Sequence, residues 1–531
     1  MDSQSGSPPS GTLCQPTTKI KTILNKLNIQ DKIIEEQLKL GYSDFGLPIP
    51  RYACPSILSP GQHARFQDIQ NQFLDSHFAI QPPDEWPGNH FNLSRYAISP
   101  ETRFPNGLEY MGIIGKGNYS QVDEVRYSPT GEVFALKRIR RRENRKEELE
   151  EMKYVNGELN ALRKIRKPIV QHFVKLVASY TDVQHIGMVL SPVADCNLGE
   201  FLDKFSDTGR KRHEGLLGGF FGCLATALAY LHYSEKIRHK DIKPANILVK
   251  SNNIYLSDFG IAFDWSEIGV TTTRDEERKT NKYCSPELYD LNPRNSKSDV
   301  WSLGCVFLEM IAVLKGKKRQ YIYDKLNSRG IGVLCRADDA IVKDVISMMR
   351  EDTSQYGNEP LAWIEKMLQF EAAKRPNSLE LRDQILHAGH AHCGFCCFHR
   401  DVLKDDRGDV TPSNQRPPIY AAESFPAKIY VPNDIDWLNV TLAHSNEISK
   451  NWICHDLVVR ANLPLDDIAP ESIMLDGRQL NSTKRTKLTW TIENSNRTAQ
   501  DVFLVARESM AVDMIIPSTK FDTMRQSVTV T

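Results

Sequence analysis

Residues 237–260 read IRHKDIKPANILVKSNNIYLSDFG, and two acids in this stretch, Asp241 and Asp258, stand seventeen positions apart with Lys243 and Asn246 between them. Transfer of a phosphoryl group from a magnesium nucleotide needs such a set. One carboxylate must orient the attacking hydroxyl, and a lysine must steady the moving phosphoryl group. An asparagine and a second carboxylate must hold metal. Four residues in one stretch are not yet a site. The rest of the chain has to supply a phosphate cradle, a nucleotide lysine and a rigid frame.

From Leu108 the pattern is that of strands, YMGIIGKGNYSQVDEVRYS and then GEVFALKRI. The first holds Ile114, Gly115, Lys116, Gly117, Asn118, Tyr119, Ser120, Gln121 and Val122, a hairpin with glycines where backbone must approach phosphates closely. A Gly-x-Gly hairpin alone says little, because turns use glycine everywhere. Its weight comes from Ala135-Leu136-Lys137 downstream, on a strand of alternating character. A lysine there needs an anion. The helical stretch 147–165 offers Glu158, ten residues before Pro168, with Glu150 and Glu151 as the other candidates. The Arg-rich run 138–146 reads as a solvated approach to that helix.

Strands at FVKLVASY and IGMVLSPV follow, then a helix at 220–233 that is apolar nearly all round and is expected to be buried. Beyond Gly260 a polar segment carries Thr271, Thr272 and Thr273 and leads through Thr280 to Ser285-Pro286-Glu287. Asp299 opens a second strongly apolar helix, SDVWSLGCVFLEM, where an acid would ordinarily be an N-cap. Lys374-Arg375-Pro376 follows, and the folded unit is expected to end near His387.

In this order the motifs resemble those of a complete Ser/Thr protein kinase domain over residues 108–388. The strings FFGCLATALAYLH, IRHKDIKPANILV and DVWSLGCVFLEMIAVLKG look like those of a large group of fungal protein kinases. The resemblance implies an α+β, bilobal fold, with a small β-rich N-lobe and a mostly helical C-lobe. It implies ATP and Mg²⁺, and protein substrates with Ser or Thr hydroxyls. Asp241 and Lys243 would be catalytic, and Lys137 paired to Glu158 would fix the nucleotide. Asn246 and Asp258 would hold Mg²⁺. Residues 114–122 would cover the phosphates, with Val122, Ala135 and Leu248 sandwiching the adenine. Leu190 would stand behind the adenine, and the Ser191–Val193 backbone would pair with it. Glu287 and Arg375 would form a buried ion pair, Asp299 would accept hydrogen bonds from the catalytic-loop backbone, and Leu162, Leu176, His239 and Phe259 would stack as a spine. A pseudokinase-type scaffold that binds nucleotide without transfer is the alternative, and the presence of Lys137, Asp241 and Asp258 argues against it.

Three positions depart from the family pattern. Ser120 replaces the third loop glycine and Ser285 replaces an alanine, both small changes. Lys240 replaces the arginine of His-Arg-Asp and offers a point charge instead of a bidentate fork. Control through phosphorylation of Thr271–Thr273 is therefore expected to be weak. Loss of most activity in a triple Thr→Ala variant would contradict this.

Outside the kinase-like unit, residues 1–16 are Ser/Gly/Pro-rich, and 18–40 have helical spacing with Gly41 as a stop. Ser59-Pro60 opens another helix with Phe66, Ile69, Phe73 and Leu74 on one side. These helices are expected to pack on the following domain; a regulatory role is the sharper reading. The region 1–107 is thus an extension. Residues 389–425 hold a Cys/His cluster and a linker. Cys393, Cys396, His387 and His390 form a cramped candidate zinc set, with S-acylation of Cys396 and Cys397 or plain thiols as the other readings. Residues 426–531 carry short β-type runs and an Asp476-Gly477 hairpin signal, pointing to a small sandwich or barrel with an interaction role.

The chain has 531 residues, 67 basic and 67 acidic. That balance argues against a dedicated nucleic-acid or anionic-membrane binder. No apolar run of membrane-spanning length stands out. Eleven cysteines without a disulfide-type pattern point to reduced thiols, hence to an intracellular protein, cytoplasmic or nuclear.

Overall fold

The structure is a computed structural model. It describes residues 17–117, 120–165, 172–208, 210–251, 253–260, 262–264, 282–290, 295–351, 356–388 and 392, and in the C-terminal part 425–431, 436–445, 449–454, 458, 463, 465–475, 478–492, 498–506 and 514–525. The hairpin tip Asn118-Tyr119, Thr271–Thr273, Thr280, His390, Cys393, Cys396, Cys397 and Asp476-Gly477 lie outside these residues.

The helical spacing over 18–40 gives two helices instead of one, α1 (Thr18–Asn25) and α2 (Asp31–Lys39). Asn28 between them has φ 57°, a left-handed conformation that asparagine tolerates. Gly41, at φ 109°, stops α2. Ser59 and Gln62 form a capping box that starts α3 (Pro60–Gln70). Phe66 and Ile69 then close a small core over Ile20, Ile23 and Leu24.

The N-lobe sheet has six strands, β1 (His90–Asn92), β2 (Leu108–Lys116), β3 (Ser120–Tyr127), β4 (Val133–Arg140), β5 (Lys175–Thr181) and β6 (His185–Ser191), in spatial order β1-β5-β6-β4-β3-β2. Its first strand comes from the extension and runs parallel to β5, with His90 opposite Ser179. The extension is therefore part of the lobe. Phe78, Phe91, Leu93 and Phe104 share a core with Val125, Phe134 and Tyr180 of the sheet. Against the other side of the sheet packs α4 (Arg145–Lys164). Asn144 caps it by accepting from the Lys146 and Glu147 N–H groups, and it carries acids in its first turn and bases in its last, as the helix dipole favours.

The C-lobe contains β7 (Cys196–Asn197), α5 (Leu198–Thr208), α6 (Arg210–Tyr233), β8 (Ile237–Arg238), β9 (Ile247–Lys250), β10 (Asn253–Leu256), β11 (Phe263–Asp264), α7 (Pro286–Tyr289), α8 (Lys297–Leu314), α9 (Tyr321–Ser328), α10 (Asp339–Arg350), α11 (Glu359–Met367) and α12 (Ser378–His387). Every residue of α8 from Ser298 onward is buried, which makes this helix the axis of the lobe. Gly304 lets it approach the end of α11, because a Cβ there would lie 3.0 Å from Leu368 and Met367. Contrary to the reading of apolar runs, 215–233 within α6 is long and apolar enough to cross a membrane, yet most of it is buried in the lobe. It is a core helix.

The C-terminal strands are β12 (Phe425–Val431), β13 (Asp436–Ser445), β14 (Asn451–Cys454), β15 (Asp466–Leu475), β16 (Arg478–Ile492), β17 (Ala499–Ala506) and β18 (Met514–Pro517), followed by α13 (Ser518–Arg525). Strand order is β12-β13-β18-β14-β17-β16-β15, and β12 also pairs with β16, so six strands close into a barrel. Leu475 pairs with Arg478 where β15 meets β16. Trp452, Trp490, Phe503 and Phe521 fill the barrel's core. Strand β14 and helix α13 had no signal in the sequence reading.

Candidate active site

The catalytic loop follows β8 and is held from below. Asp299 of α8 accepts hydrogen bonds from the backbone N–H of His239 at 2.8 Å and of Lys240 at 2.9 Å. Lys240 has φ 69°, so the loop bends through a left-handed residue that these two bonds hold in place. His232 of α6, not foreseen from sequence, lies 2.9 Å from the same carboxylate through Nε2 and 3.0 Å from Ser378 Oγ through Nδ1. Burial by itself would raise the Asp299 carboxyl. The His232 hydrogen bond and charge, with the Lys240 N–H, bring it down to about 2.

The folded value of Asp299 thus lies below the ordinary carboxylate value of about 3.9. Its stabilisation is present above that value and is lost as pH falls towards the folded one. Asp299→Asn is therefore expected to flatten the acid limb of unfolding free energy below roughly pH 4, by about 2 kcal/mol. Urea denaturation across pH measures this.

Within the loop, Lys243 Nζ donates to Asp241 Oδ2 at 2.6 Å, and Asn246 Nδ2 donates to the same oxygen and to the Asp241 carbonyl, each at 2.9 Å. The Asp241 carboxylate is thereby held in one orientation. With both bonds of the Asn246 amide nitrogen spent on Asp241, its carbonyl oxygen is the atom suited to a metal.

Across the cleft, Lys137 Nζ of β4 lies 2.7 and 2.9 Å from the two carboxylate oxygens of Glu158 and 2.9 Å from Asp258 Oδ1. Of the three acids on α4 considered as its partner, Glu150 is exposed and Glu151 pairs with Arg142. Burial works against the Lys137 ammonium, but the two carboxylates raise it above its ordinary value. Burial pushes Glu158 up against the pull of Lys137, whereas the Lys137 charge holds Asp258 below the usual carboxylate range. Asp258 has φ 63°, a strained backbone at the residue that aims its charge into the cleft.

The glycine hairpin is formed by β2 and β3, with Gly115 opposite Val122 and Lys116 opposite Gln121. The Gly117 N–H donates to the Ser120 carbonyl at 2.8 Å, and a Cβ on Gly117 would lie 2.8 Å from Ser120 Oγ. A side chain at position 117 would therefore make the Ser120 hydroxyl turn aside. Ile114 is exposed, and Gln121 donates to Asp123. Ala135 lies opposite Leu190 where β4 meets β6, and Ser191 ends β6 just before Val193. Leu248 sits on β9 opposite Asn197. Leu162, Leu176 and Phe259 share one core, and the His239 and Phe259 rings stand 4.9 Å apart.

Glu287 and Arg375 meet through two bonds of 2.8 Å, and Ser298 Oγ donates to Glu287 at 2.8 Å. The cysteines at 54, 196, 223, 284, 305 and 335 form no disulfide. His392, beside the candidate zinc set, packs edge-on against Trp363 with ring centroids 5.0 Å apart.

Residues 108–387 match the family model of the protein kinase domain. The chain belongs to the protein kinase family. This kinase is 28% identical over 277 residues to serine/threonine-protein kinase sgk-1 of Caenorhabditis elegans, covering 51% of this chain and 56% of that one. It is 27% identical over 307 residues to serine/threonine-protein kinase AtPK1/AtPK6 of Arabidopsis thaliana, covering 56% and 60%. To human 3-phosphoinositide-dependent protein kinase 1 it is 28% identical over 216 residues, covering 40% and 37%. The matched part thus spans at most about three fifths of these relatives. The N-terminal extension and the C-terminal barrel lie outside the family match.

Proposed function

We propose that this kinase transfers the γ-phosphoryl group of ATP to Ser and Thr hydroxyls of protein substrates. The observation that supports this most is the Lys137 ammonium held by Glu158 and Asp258 together, across the cleft from Asp241 fixed by Lys243 and Asn246. A site with all six in register is prepared for phosphoryl transfer, which depends on positioning and charge more than on covalent chemistry. Asp241 accepts or orients the hydroxyl proton, and its hydrogen bonds keep the receiving oxygen aimed. Lys243 neutralises charge on the transferred group. Lys137, kept charged by its two acids, holds the nucleotide phosphates, while the described hairpin backbone, 114–117 and 120–122, covers them. Val122, Ala135 and Leu248 enclose the adenine, and the backbone of Ser191 and Val193 pairs with it.

The donor set fits Mg²⁺. Asn246 and Asp258 offer two hard oxygens, an incomplete shell that suits an ion whose remaining ligands are phosphate oxygens and water. When bound, Mg²⁺ neutralises charge on the phosphates and fixes their geometry.

Phosphoamino-acid analysis of a generic protein substrate tests the hydroxyl class. Label on Ser and Thr is expected, and label mainly on Tyr would overturn it. An intracellular location, cytoplasmic or nuclear, is proposed from the eleven scattered cysteines, and subcellular fractionation checks it. A fungal source is proposed too, and sequencing the source organism's genome tests that. The C-terminal barrel is read as a module for a protein partner. Crosslinks mapping to residues 425–525 are expected, and their absence counts against it.

A further inference from the structure

The extension does more than cover the N-lobe, because it touches the helix that carries Glu158. Phe45, in a single helical turn at Asp44–Gly46, is buried in the same core as Met152, Val155 and Leu159 of α4 and Ile186 and Met188 of β6. Its ring lies 4.7 Å under the Arg163 guanidinium and 4.7 Å from the His90 ring, and its carbonyl accepts from Thr181 Oγ1 at 2.8 Å. Arg141, at the corner between β4 and α4, is equally buried. It donates to the carbonyls of Pro48 at 2.6 Å, Gly46 at 3.1 Å and Asp182 at 2.9 Å. It also pairs with Glu148 of α4 at 2.6 Å, while the other Glu148 oxygen accepts from the Arg142 N–H at 2.9 Å. Far from being solvated, this arginine ties three pieces of chain together.

The turn bearing Phe45 is itself anchored. Asp44 accepts from the N–H groups of Lys19 and Ile20 at the start of α1, and Asn92 donates to the carbonyls of Asp44 and Leu47. Displacing the turn would therefore break hydrogen bonds in α1, β1 and β5 at once. Glu158 stands three residues after Val155 and one before Leu159, on the turns of α4 that this core holds. Outward movement of α4 would draw Glu158 from Lys137 and open a void beside Phe45.

We propose that residues 41–54 are an intramolecular brace on α4, and that Phe45 and Arg141 are positioning residues that hold Glu158 within reach of Lys137. The phosphate grip of this kinase then depends on a segment outside its family-matched region. The inference rests on the proposed phosphoryl transfer for its kinetic consequences, while its structural consequence stands apart.

The test uses the full chain carrying Phe45→Ala, in the native background and in a Glu158→Gln background. The brace predicts that kcat/KM for ATP falls on the order of 10-fold in the native background and less than about 2-fold in Glu158→Gln, since the pair it supports is already broken. Amide exchange is expected to rise over 145–164 and not over 297–314. Phe45→Leu is expected to restore most of the loss. Arg141→Lys keeps a charge for Glu148 but not the fork to the Gly46 and Pro48 carbonyls. It should give the same pattern if Phe45→Ala does not fold. Equal losses in both backgrounds, or unchanged exchange over 145–164, would overturn the brace. A native chain without any transfer would overturn the proposed function instead, and the exchange measurement would still decide the brace.

Discussion

Asp258→Asn is expected to lower phosphoryl transfer on the order of 10³-fold while leaving the melting temperature nearly unchanged. Asparagine has the shape of aspartate and tolerates the left-handed backbone at this position, φ 63°, so the loop keeps its path. What disappears is charge. The Lys137 ammonium beside Asp258 holds its carboxyl below the usual range, so the native group is ionised at neutral pH and available to a divalent cation. An amide oxygen offers the same lone pair without the charge, and the substituted chain should need more Mg²⁺ for its residual rate. About half of the Asp258 side chain is open to solvent, which keeps the stability effect small. Initial rates with γ-labelled ATP over a range of Mg²⁺ check this. A fall of less than about 10-fold would remove Asp258 from the metal role.

Arg375→Met is expected to destabilise the fold by about 3–5 kcal/mol. The guanidinium is completely buried, and besides its two bonds to Glu287 it donates to the carbonyls of Gln369, Lys297 and Phe370 and lies 5.0 Å over the Trp301 ring. Burial would raise the Glu287 carboxyl, but the Arg375 hydrogen bonds and charge keep it below its ordinary value. Methionine fills comparable volume and leaves that carboxylate buried with only Ser298 as a donor from this set. The penalty is that of an uncompensated charge and not of a lost contact. The double variant Glu287→Gln/Arg375→Met should recover part of it. Urea denaturation of the native chain, Arg375→Met, Glu287→Gln and the double variant measures both terms, and additive losses would show that the two side chains act independently.

Much of the site was legible in the sequence because its parts are local. A loop with Asp241, Lys243 and Asn246 carries its chemistry in six consecutive positions, and Glu158 was picked among three acids because its distance from Pro168 matches the spacing of the kinase family. The buried ion pair and the role of Asp299 were legible only through the resemblance to the kinase family, because an acid at a helix start is by itself an ordinary N-cap. The extension was not. Phe45 lies in a three-residue turn, and β1 has three residues, so neither is long enough to show a period. Arg141 sits in a basic run whose other members are largely exposed or paired at the surface. Nothing in composition distinguishes Arg141, whose guanidinium meets three carbonyls, from the rest of that run. The break between α1 and α2 was hidden because Leu27 and Ile34 keep helical spacing across it. In the barrel, four-residue β14 fell below the length at which alternation can be read.

The most direct measurement is transfer of γ-labelled phosphate from ATP to a mixed Ser- and Thr-containing polypeptide by the full chain, with and without Mg²⁺, beside the Asp241→Asn variant. Label should enter the polypeptide only with Mg²⁺, and the variant should retain no more than about a hundredth of the native rate. Equal incorporation by the two chains, or none by either while both bind ATP, would contradict phosphoryl transfer at this site.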